Sequence, residues 1–450
     1  MIPSDLIQKY NVAAPRYTSY PTVPYWDTDN WNEAIWLNSV KLSYAESEKS
    51  GISLYIHLPF CENLCTYCGC NTRITKNHGV ELPYMEAVLK EWGMYARQLN
   101  CKPRIRELHL GGGTPTFFSA ENLNILIKGI LQNAVVIEGA EFSFEAHPAN
   151  TTKKHLQTLF DLGFRRLSLG IQDFDPLVQE IINRKQSVEQ VESVTRDARE
   201  IGYTSINYDL IYGLPLQKLA SIKNTIAQVV RLKPDRIAFY SYAHVPWIKP
   251  GQRKFTELDL PADCEKRALY ETGRDLLMQA GFADIGMDHF ALQTDSLYHA
   301  AESNTIHRNF MGYTDQATQL LIGLGVSSIS DSLYAFAQNS KTVEQYLQYI
   351  SDGEFSFLKG HKLTATDLKI RKQILDIMCR GYADLGEIET LNPLTKNQLK
   401  ALEADGLIEL QLNLLKVTNA GKAFLRNICM AFDQRLLEKA PESQIFSTAV

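Results

Sequence analysis

Long apolar runs, blocks of one charge, low-complexity tracts and internal repeats are all missing from these 450 residues. Each absence removes a class of protein. The longest weakly polar run, Gln316 to Ser330, is too short and too rich in Ser, Thr and Gln to cross a bilayer, which takes roughly 20 apolar residues. MIPSDLIQKYNV has neither a basic nor an apolar segment, so no secretory signal is expected and the chain is read as cytoplasmic. Lys and Arg total 46 against 51 Asp and Glu, a net charge of −5, and no local basic block offsets it, so no nucleic-acid partner is expected. Cys101, Cys264, Cys379 and Cys429 are isolated and far apart, which fits reduced thiols filling a core and not a disulfide framework. With 45% hydrophobic and 22% charged residues, the chain has an ordinary globular composition and room for about three domains.

The other four cysteines crowd into LYIHLPFCENLCTYCGC. Cys61, Cys65 and Cys68 are spaced C-x3-C-x2-C just past the strand-like run SLYIHL, and Cys70 follows two residues later. Thiolates converging on one loop point to a metal. One reading is zinc, with Cys70 or His57 completing four ligands. The other is a [4Fe-4S] cluster, in which three thiolates leave one iron open to a ligand carrying an amine and a carboxylate. Zinc sites usually pair two arms distant in sequence, and here every candidate lies within about ten residues, which favours iron and sulfur.

From residue 53 on, β-branched and aromatic runs alternate with helical patterns, the mark of βα units on a parallel sheet. The expected strands are Ser53–Leu58, Glu107–Leu110, Glu141–Glu145, Arg166–Ile171, Ser205–Leu210 and Arg236–Tyr240. Helices are expected near Leu82–Gln98, Ala120–Gln132, Lys153–Leu162, Val188–Ile201 and Leu219–Leu232. Six such units make a partial (β/α)6 barrel over 51–358, an α/β fold whose C-terminal strand ends share one mouth. The candidate residues obey that rule. Cys61 follows the first strand, GGGTPT (Gly111–Thr116) the second, Glu145 ends the third, Gln172 the fourth, Asp209 lies on the fifth, and Ala243 follows the sixth.

GGGTPT is not a Rossmann fingerprint; its glycines either let backbone approach a ligand closely or simply turn the chain from strand to helix. Glu145 and Asp209 end apolar strands, where an unpaired charge is costly and a partner is expected. Arg184 can grip a carboxylate with both arms or form a plain surface salt bridge. Residues 1–50 are rich in aromatics and proline and read as an arm, with a helix near Trp31–Glu46, that folds over the barrel mouth and could bring Arg16 to a substrate carboxylate. Over 359–450 the pattern changes to helices at Ala365–Arg380 and Lys396–Glu403, a small hairpin at 406–417, and a helix from Ala420 to about Gln434. This resembles a winged-helix unit without a basic recognition face, so a packing or substrate-covering role is expected.

The cysteine spacing resembles that of the radical S-adenosylmethionine (SAM) superfamily. YIHLPFC, the C-x-C cysteine, PRYTSYPT, GMDHFA and HRNF together resemble the oxygen-independent coproporphyrinogen III oxidase family, over about Tyr10 to Phe432. The resemblance implies that Cys61, Cys65 and Cys68 hold a [4Fe-4S] cluster. It further implies that Tyr55, Tyr67, Gly112, Glu145 and Ile329 contact a SAM on the open iron. Gly113, Thr114, Gln172, Arg184, Asp209 and Ala243 would contact a second SAM, and Cys70 is not a ligand but a thiol beside the site. The implied reaction is the oxidative decarboxylation of two propionates of coproporphyrinogen III to vinyl groups, a porphyrin-biosynthetic step in which a 5′-deoxyadenosyl radical takes a hydrogen atom. Arg16, Arg184, His307 and Arg308 are the candidate propionate partners. A reducing partner such as flavodoxin or ferredoxin, and a monomeric state, are also implied. Alternatives are a haem-binding carrier of the same superfamily and a zinc-containing regulator. Two departures stand out: HRNFMGYT, where Met311 replaces the family's usual Gln, and EAHP at Glu145–Pro148, where the family reads EVDP.

Overall fold

The computed structural model describes residues 3–439, 441 and 445–449. Its centre is one twelve-stranded sheet. In chain order the strands are β1 (Ile52–Leu58), β2 (Arg104–Gly112), β3 (Val135–Ala146), β4 (Phe164–Gln172), β5 (Ser205–Tyr212), β6 (Arg236–Ser241), β7 (Phe282–Gly286), β8 (His289–Leu292), β9 (Leu321–Leu324), β10 (Ile329–Asp331), β11 (Ala335–Asn339) and β12 (Phe357–Lys362). The spatial order is β12-β11-β10-β9-β1-β2-β3-β4-β5-β6-β8-β7. β1 to β6 pair in parallel in sequence order, so the six expected strands stand side by side with their C-terminal ends together. β9 joins β1 in parallel, and antiparallel strands extend the sheet on both flanks.

Helices cover the outer face for a reason visible in their spacing. In Ala120–Gln132 the residues Leu123, Leu126, Ile127 and Ile130 recur on one stripe and are fully buried, each worth about 1.5–3 kcal/mol of burial. Ser119 caps this helix by accepting from the Asn122 amide at 3.2 Å. At the end of the barrel away from the cysteines lie two ion pairs, half-buried Arg166 with Glu141 and buried Arg236 Nε with Asp295 Oδ1 at 2.6 Å.

A second core gathers the C-terminal helices Ala365–Arg380 and Pro393–Ala404 with a three-stranded sheet of Tyr382–Asp384, Ile408–Gln411 and Leu414–Val417. Ile7, Tyr17 and Tyr20 of the N-terminal arm are packed into this core. β12 runs through position 358, and the arm helix is Glu33–Ser47. The long helix expected from Ala420 to Gln434 is instead a short turn at Gly421–Phe424, a helix at Leu425–Met430 and another at Gln434–Glu438. Asp433 restarts the chain there by accepting from the Leu436 amide at 3.0 Å. The isolated cysteines also differ from expectation: Cys429 is buried and Cys379 half-buried, but Cys101 and Cys264 are exposed.

Candidate active site

The cysteine loop leaves β1 through a short strand, Phe60–Cys61, which pairs with Arg73–Ile74 and so folds the loop back on itself. A cavity of about 550 Å³ opens between this loop and the tips of β2 to β5. Cys61, Cys65, Cys68 and Cys70 line one wall, and Tyr67 stands among them. Gly112 ends β2 and Gly113 and Thr114 follow it, Glu145 is the residue before the end of β3, Gln172 ends β4, and Asp209 projects from β5, with Arg184 between floor and loop.

The glycines are required by space. A Cβ on Gly113 would lie 2.6 Å from the Pro59 carbonyl, and Gly112, at φ +111°, has His57 in the same position at 2.6 Å. A side chain at Gly113 would push the cysteine loop off the strand tips, and one at Gly112 would strike the His57 ring on β1. Gln172 holds φ at +67°, a strained conformation for a residue with a side chain, at the cavity wall.

The cysteines differ in their surroundings. Cys61 Sγ lies 3.3 Å from Thr114 Oγ1, and burial pushes its thiol up to about 11. Cys68 is brought down to about 6, first by a hydrogen bond from the Cys70 thiol, while burial opposes this and Lys249 and Arg184 assist. Cys70, exposed at the rim, is in turn held well above its usual value by Cys68. Arg184 donates from Nη1 to Cys65 Sγ at 3.5 Å and from Nη2 to the Gly170 carbonyl at 2.5 Å; its Nε is buried without a partner.

Two acids on the floor behave in opposite ways. Burial would raise Glu145, but His109, 3.5 Å away, and the Gly112 amide at 3.2 Å bring it below the usual carboxylate range. Asp209 is raised to about 6 by burial and by the neighbouring Glu145 charge, against hydrogen bonds from Ser168 at 2.9 Å and Asn207 at 2.8 Å. His109 was not among the sequence candidates. It stacks on Tyr55, with ring centroids 6.0 Å apart, and its Nδ1 is 2.7 Å from Ser143 Oγ. The signal was its place two residues before GGG, on the strand beside Tyr55. Gln252 was missed as well: its amide nitrogen donates to the Tyr67 carbonyl at 3.0 Å and the Ala243 carbonyl at 3.2 Å.

The remaining candidates stand apart from this cavity. Tyr55 contributes through its ring against His109 and its hydroxyl, 3.0 Å from His57 Nδ1. Ile329 packs beside Phe336, with its carbonyl against Gly323, the β9 partner of Tyr55. Arg16 donates to the Ser241 carbonyl at 2.7 Å and lines a separate cavity of about 930 Å³ beside the C-terminal unit. His307 and Arg308 lie on a hairpin, His307–Asn309 with Gly312–Thr314. Arg308 is buried over the Tyr313 ring at 4.7 Å, and its Nε and Nη1 have no partner. Met311 lines a small polar chamber inside the barrel that shares Glu145, Asp209 and Tyr240 with the cysteine cavity. His147, of EAHP, lines the cysteine cavity itself and is kept neutral, pushed down to about 3 by burial and then by Arg184.

Among the described residues no three His, Cys, Asp or Glu side chains converge on a point suited to a single ion. Cys61, Cys65 and Cys68 stand together on one wall of the cavity, a donor set suited to a cluster in which each sulfur takes its own iron. The glycine tips supply backbone without side chains directly opposite them, so the residues present fit the group.

Comparison with known proteins agrees from end to end. The radical SAM superfamily model matches residues 55–229. An oxygen-independent coproporphyrinogen III oxidase of Synechocystis is 37% identical, covering 99% of this chain and 98% of its own. That of Escherichia coli K12 is 38% identical, covering 98% and 96%. The chain belongs to the oxygen-independent coproporphyrinogen III oxidase family. A solved Escherichia coli coproporphyrinogen III oxidase, described as a radical SAM enzyme, superposes on this oxidase-family chain with a TM-score of 0.89, covering 96% of it and 99% of the solved chain at 36% identity. The chain is thus a radical SAM enzyme that uses a [4Fe-4S] cluster and SAM, on an α/β radical-SAM fold with a helical C-terminal unit. Among the described residues no helix is long and apolar enough to cross a membrane.

Proposed function

We propose that this chain converts coproporphyrinogen III to protoporphyrinogen IX by oxidative decarboxylation of two propionates to vinyl groups. The observation that carries the reading is the three-cysteine loop facing glycine and acid strand tips across one cavity, in a chain that aligns along its whole length with oxidases of that name. The oxidase names of these relatives favour decarboxylation over a haem carrier.

Cys61, Cys65 and Cys68 hold the cluster. With SAM and one electron, the cluster supplies a carbon radical able to take the unactivated propionate hydrogen that no side-chain base could remove. The chain's own residues do the rest. Tyr55, Tyr67, Gly112, Glu145 and Ile329 orient the reacting SAM; the low Glu145 carboxylate is charged at neutral pH and suits the SAM amine. Gly113, Thr114, Gln172, Arg184, Asp209 and Ala243 hold a second SAM, which suits a reaction performed twice. Cys70 tunes the site through its hydrogen bond to Cys68. Arg16, Arg308 and His307, with Arg184, meet substrate carboxylates. The buried, unpaired Nε and Nη1 of Arg308 favour this, since a desolvated guanidinium without a partner is costly until an anion arrives. The enzyme works as a cytoplasmic monomer, fed by a reducing protein.

Anaerobic turnover with coproporphyrinogen III, SAM and a reductant tests the reading. The expected product has lost two carboxyl groups by mass; haem binding with no loss of CO2 would refute it.

A further inference from the structure

Between the barrel and the C-terminal unit lies a cavity of about 930 Å³, larger than the cysteine cavity of about 550 Å³. No residue lines both it and either inner chamber. Ser241 faces it, while the preceding Tyr240 lines both inner chambers, so β6 is the wall between. Seven basic and four acidic residues line it, an excess of positive charge in a chain whose net charge is −5. Glu271 and Asp284 are taken up by Arg267 and Arg274, and Arg380 is paired with Asp376. Among the described residues Arg16, Lys416, Lys422 and Arg426 pair with no carboxylate. Arg16 donates to the Ser241 carbonyl at 2.7 Å, and buried Arg426 to the carbonyls of Pro15 at 3.0 Å and Thr448 at 2.8 Å. Neutral carbonyls solvate these charges without cancelling them. Burial and then Arg16 bring Arg426 down to about 10, and burial, Arg426 and Arg16 bring nearby Lys266 down to about 8, so the cations repel one another. Arg267 Nε is buried here without a partner. Ile285, Met287, Ile377, Val417 and Leu425 add an apolar surface to the lining.

Clustered cations without carboxylates are costly until an anion arrives, and the apolar part of the wall favours an anion carried on an apolar body. A bare di- or tricarboxylate would leave most of this volume to water. We infer that the cavity is a second, non-catalytic site for a tetrapyrrole carrying carboxylates. Its ring would lie against Ile285, Met287 and Val417, and its carboxylates would meet Arg16, Arg426, Lys416 and Lys422. A molecule seated here is outside β6 and apart from the sulfurs, so the site holds a tetrapyrrole and does not react it. Occupied, the site touches the N-terminal arm, the barrel and the C-terminal unit at once, and fastens the three together. Two sources share this chemistry, the porphyrinogen itself and a finished metalloporphyrin such as haem. The inference rests on the reading that this chain works on a porphyrinogen.

The test titrates the full-length, cluster-free protein by calorimetry with coproporphyrin III, the stable oxidised form of the substrate, with hemin, and with citrate. K416E/K422E reverses two exposed charges at the rim, K416R/K422R keeps them, and Arg308→Met alters the barrel side instead. The preferred porphyrin should bind wild type, K416R/K422R and Arg308→Met with similar affinity, and K416E/K422E roughly tenfold more weakly; citrate should bind wild type at least roughly tenfold more weakly than that porphyrin. The thermal midpoint of wild type should rise with bound porphyrin, and that of K416E/K422E should rise less at the same concentration. Tighter binding of coproporphyrin III makes the porphyrinogen the occupant and tighter binding of hemin the metalloporphyrin; either supports the site. Porphyrin binding that is lost in Arg308→Met and unaltered in K416E/K422E belongs wholly to the barrel interior and overturns the inference. So does citrate binding as tightly as the porphyrins, or binding of neither porphyrin. Absence of anaerobic turnover in the wild type, with this binding intact, would refute the functional reading instead and leave the site standing.

Discussion

The two walls of the cysteine cavity are built by opposite means. The loop wall is thin and partly exposed, and it is pinned largely by backbone contacts, such as the Arg73 amide to the Pro59 carbonyl at 2.8 Å and the Thr75 amide to the Cys61 carbonyl at 2.9 Å. The floor is the end of a buried parallel sheet, where Glu145 and Asp209 are held by His109, Ser168 and Asn207. The loop therefore concentrates chemistry at little cost to folding, whereas the floor spends folding stability to keep charge out of water. Changes in the loop should strike activity and spare the fold; changes in the floor should move both.

The largest effect is expected at the loop. Cys65→Ser should abolish 5′-deoxyadenosine formation, read by chromatography, with the thermal midpoint of the cluster-free protein unchanged; SAM cleavage at the normal rate would refute its role as ligand. Where loop and floor touch, Gly113→Ala should break the contrast. Its Cβ would meet the Pro59 backbone at 2.6 Å, so a loss of about 1–3 kcal/mol in denaturant unfolding should accompany lost activity.

On the floor, Asp209→Asn sharpens the comparison through pH. A carboxyl raised to about 6 binds its proton more tightly folded than unfolded, so its contribution is intact below its ordinary value near 3.8 and is lost as pH rises through about 6. The variant should not share that loss: thermal unfolding at pH 5 and 7.5 should show a smaller drop than in wild type. Glu145, lowered in the folded state, has the opposite sign, and its contribution is lost as pH falls. Arg308→Met should raise KM for the porphyrinogen by roughly tenfold without lowering the thermal midpoint, because the guanidinium it removes has two nitrogens without partners. The smallest effect belongs to the exposed, isolated thiols: Cys101→Ser and Cys264→Ser should each change stability by less than about 0.5 kcal/mol and leave turnover untouched.

What could be read from the sequence follows the same division. The six parallel strands were legible because buried strands are near-continuous apolar runs, and helices such as Val188–Ile201 because their stripe and caps are local. The cysteine loop was legible because its ligands are adjacent in sequence. The flanking strands β9 to β12 were not: Leu321–Leu324 and Ile329–Asp331 are too short to show a period. Buried Asp331 makes sense only once Arg371, forty positions on, meets it at 2.7 Å. His109 and Gln252 escaped for a related reason. Each acts through a partner supplied by strand register or a returning loop, and neither has a spacing to announce it.

The amide of Gln252 works as a rivet. One nitrogen holds the carbonyls of Tyr67 and Ala243 while its oxygen accepts from the Val245 amide at 2.6 Å, so the coil leaving the sixth strand and the coil bearing the sulfurs are fastened by a single buried head. Stripping the inorganic core by air should then leave an empty but still shaped socket, which explains in advance why iron and sulfide added back under reducing conditions would find their seat without refolding the chain.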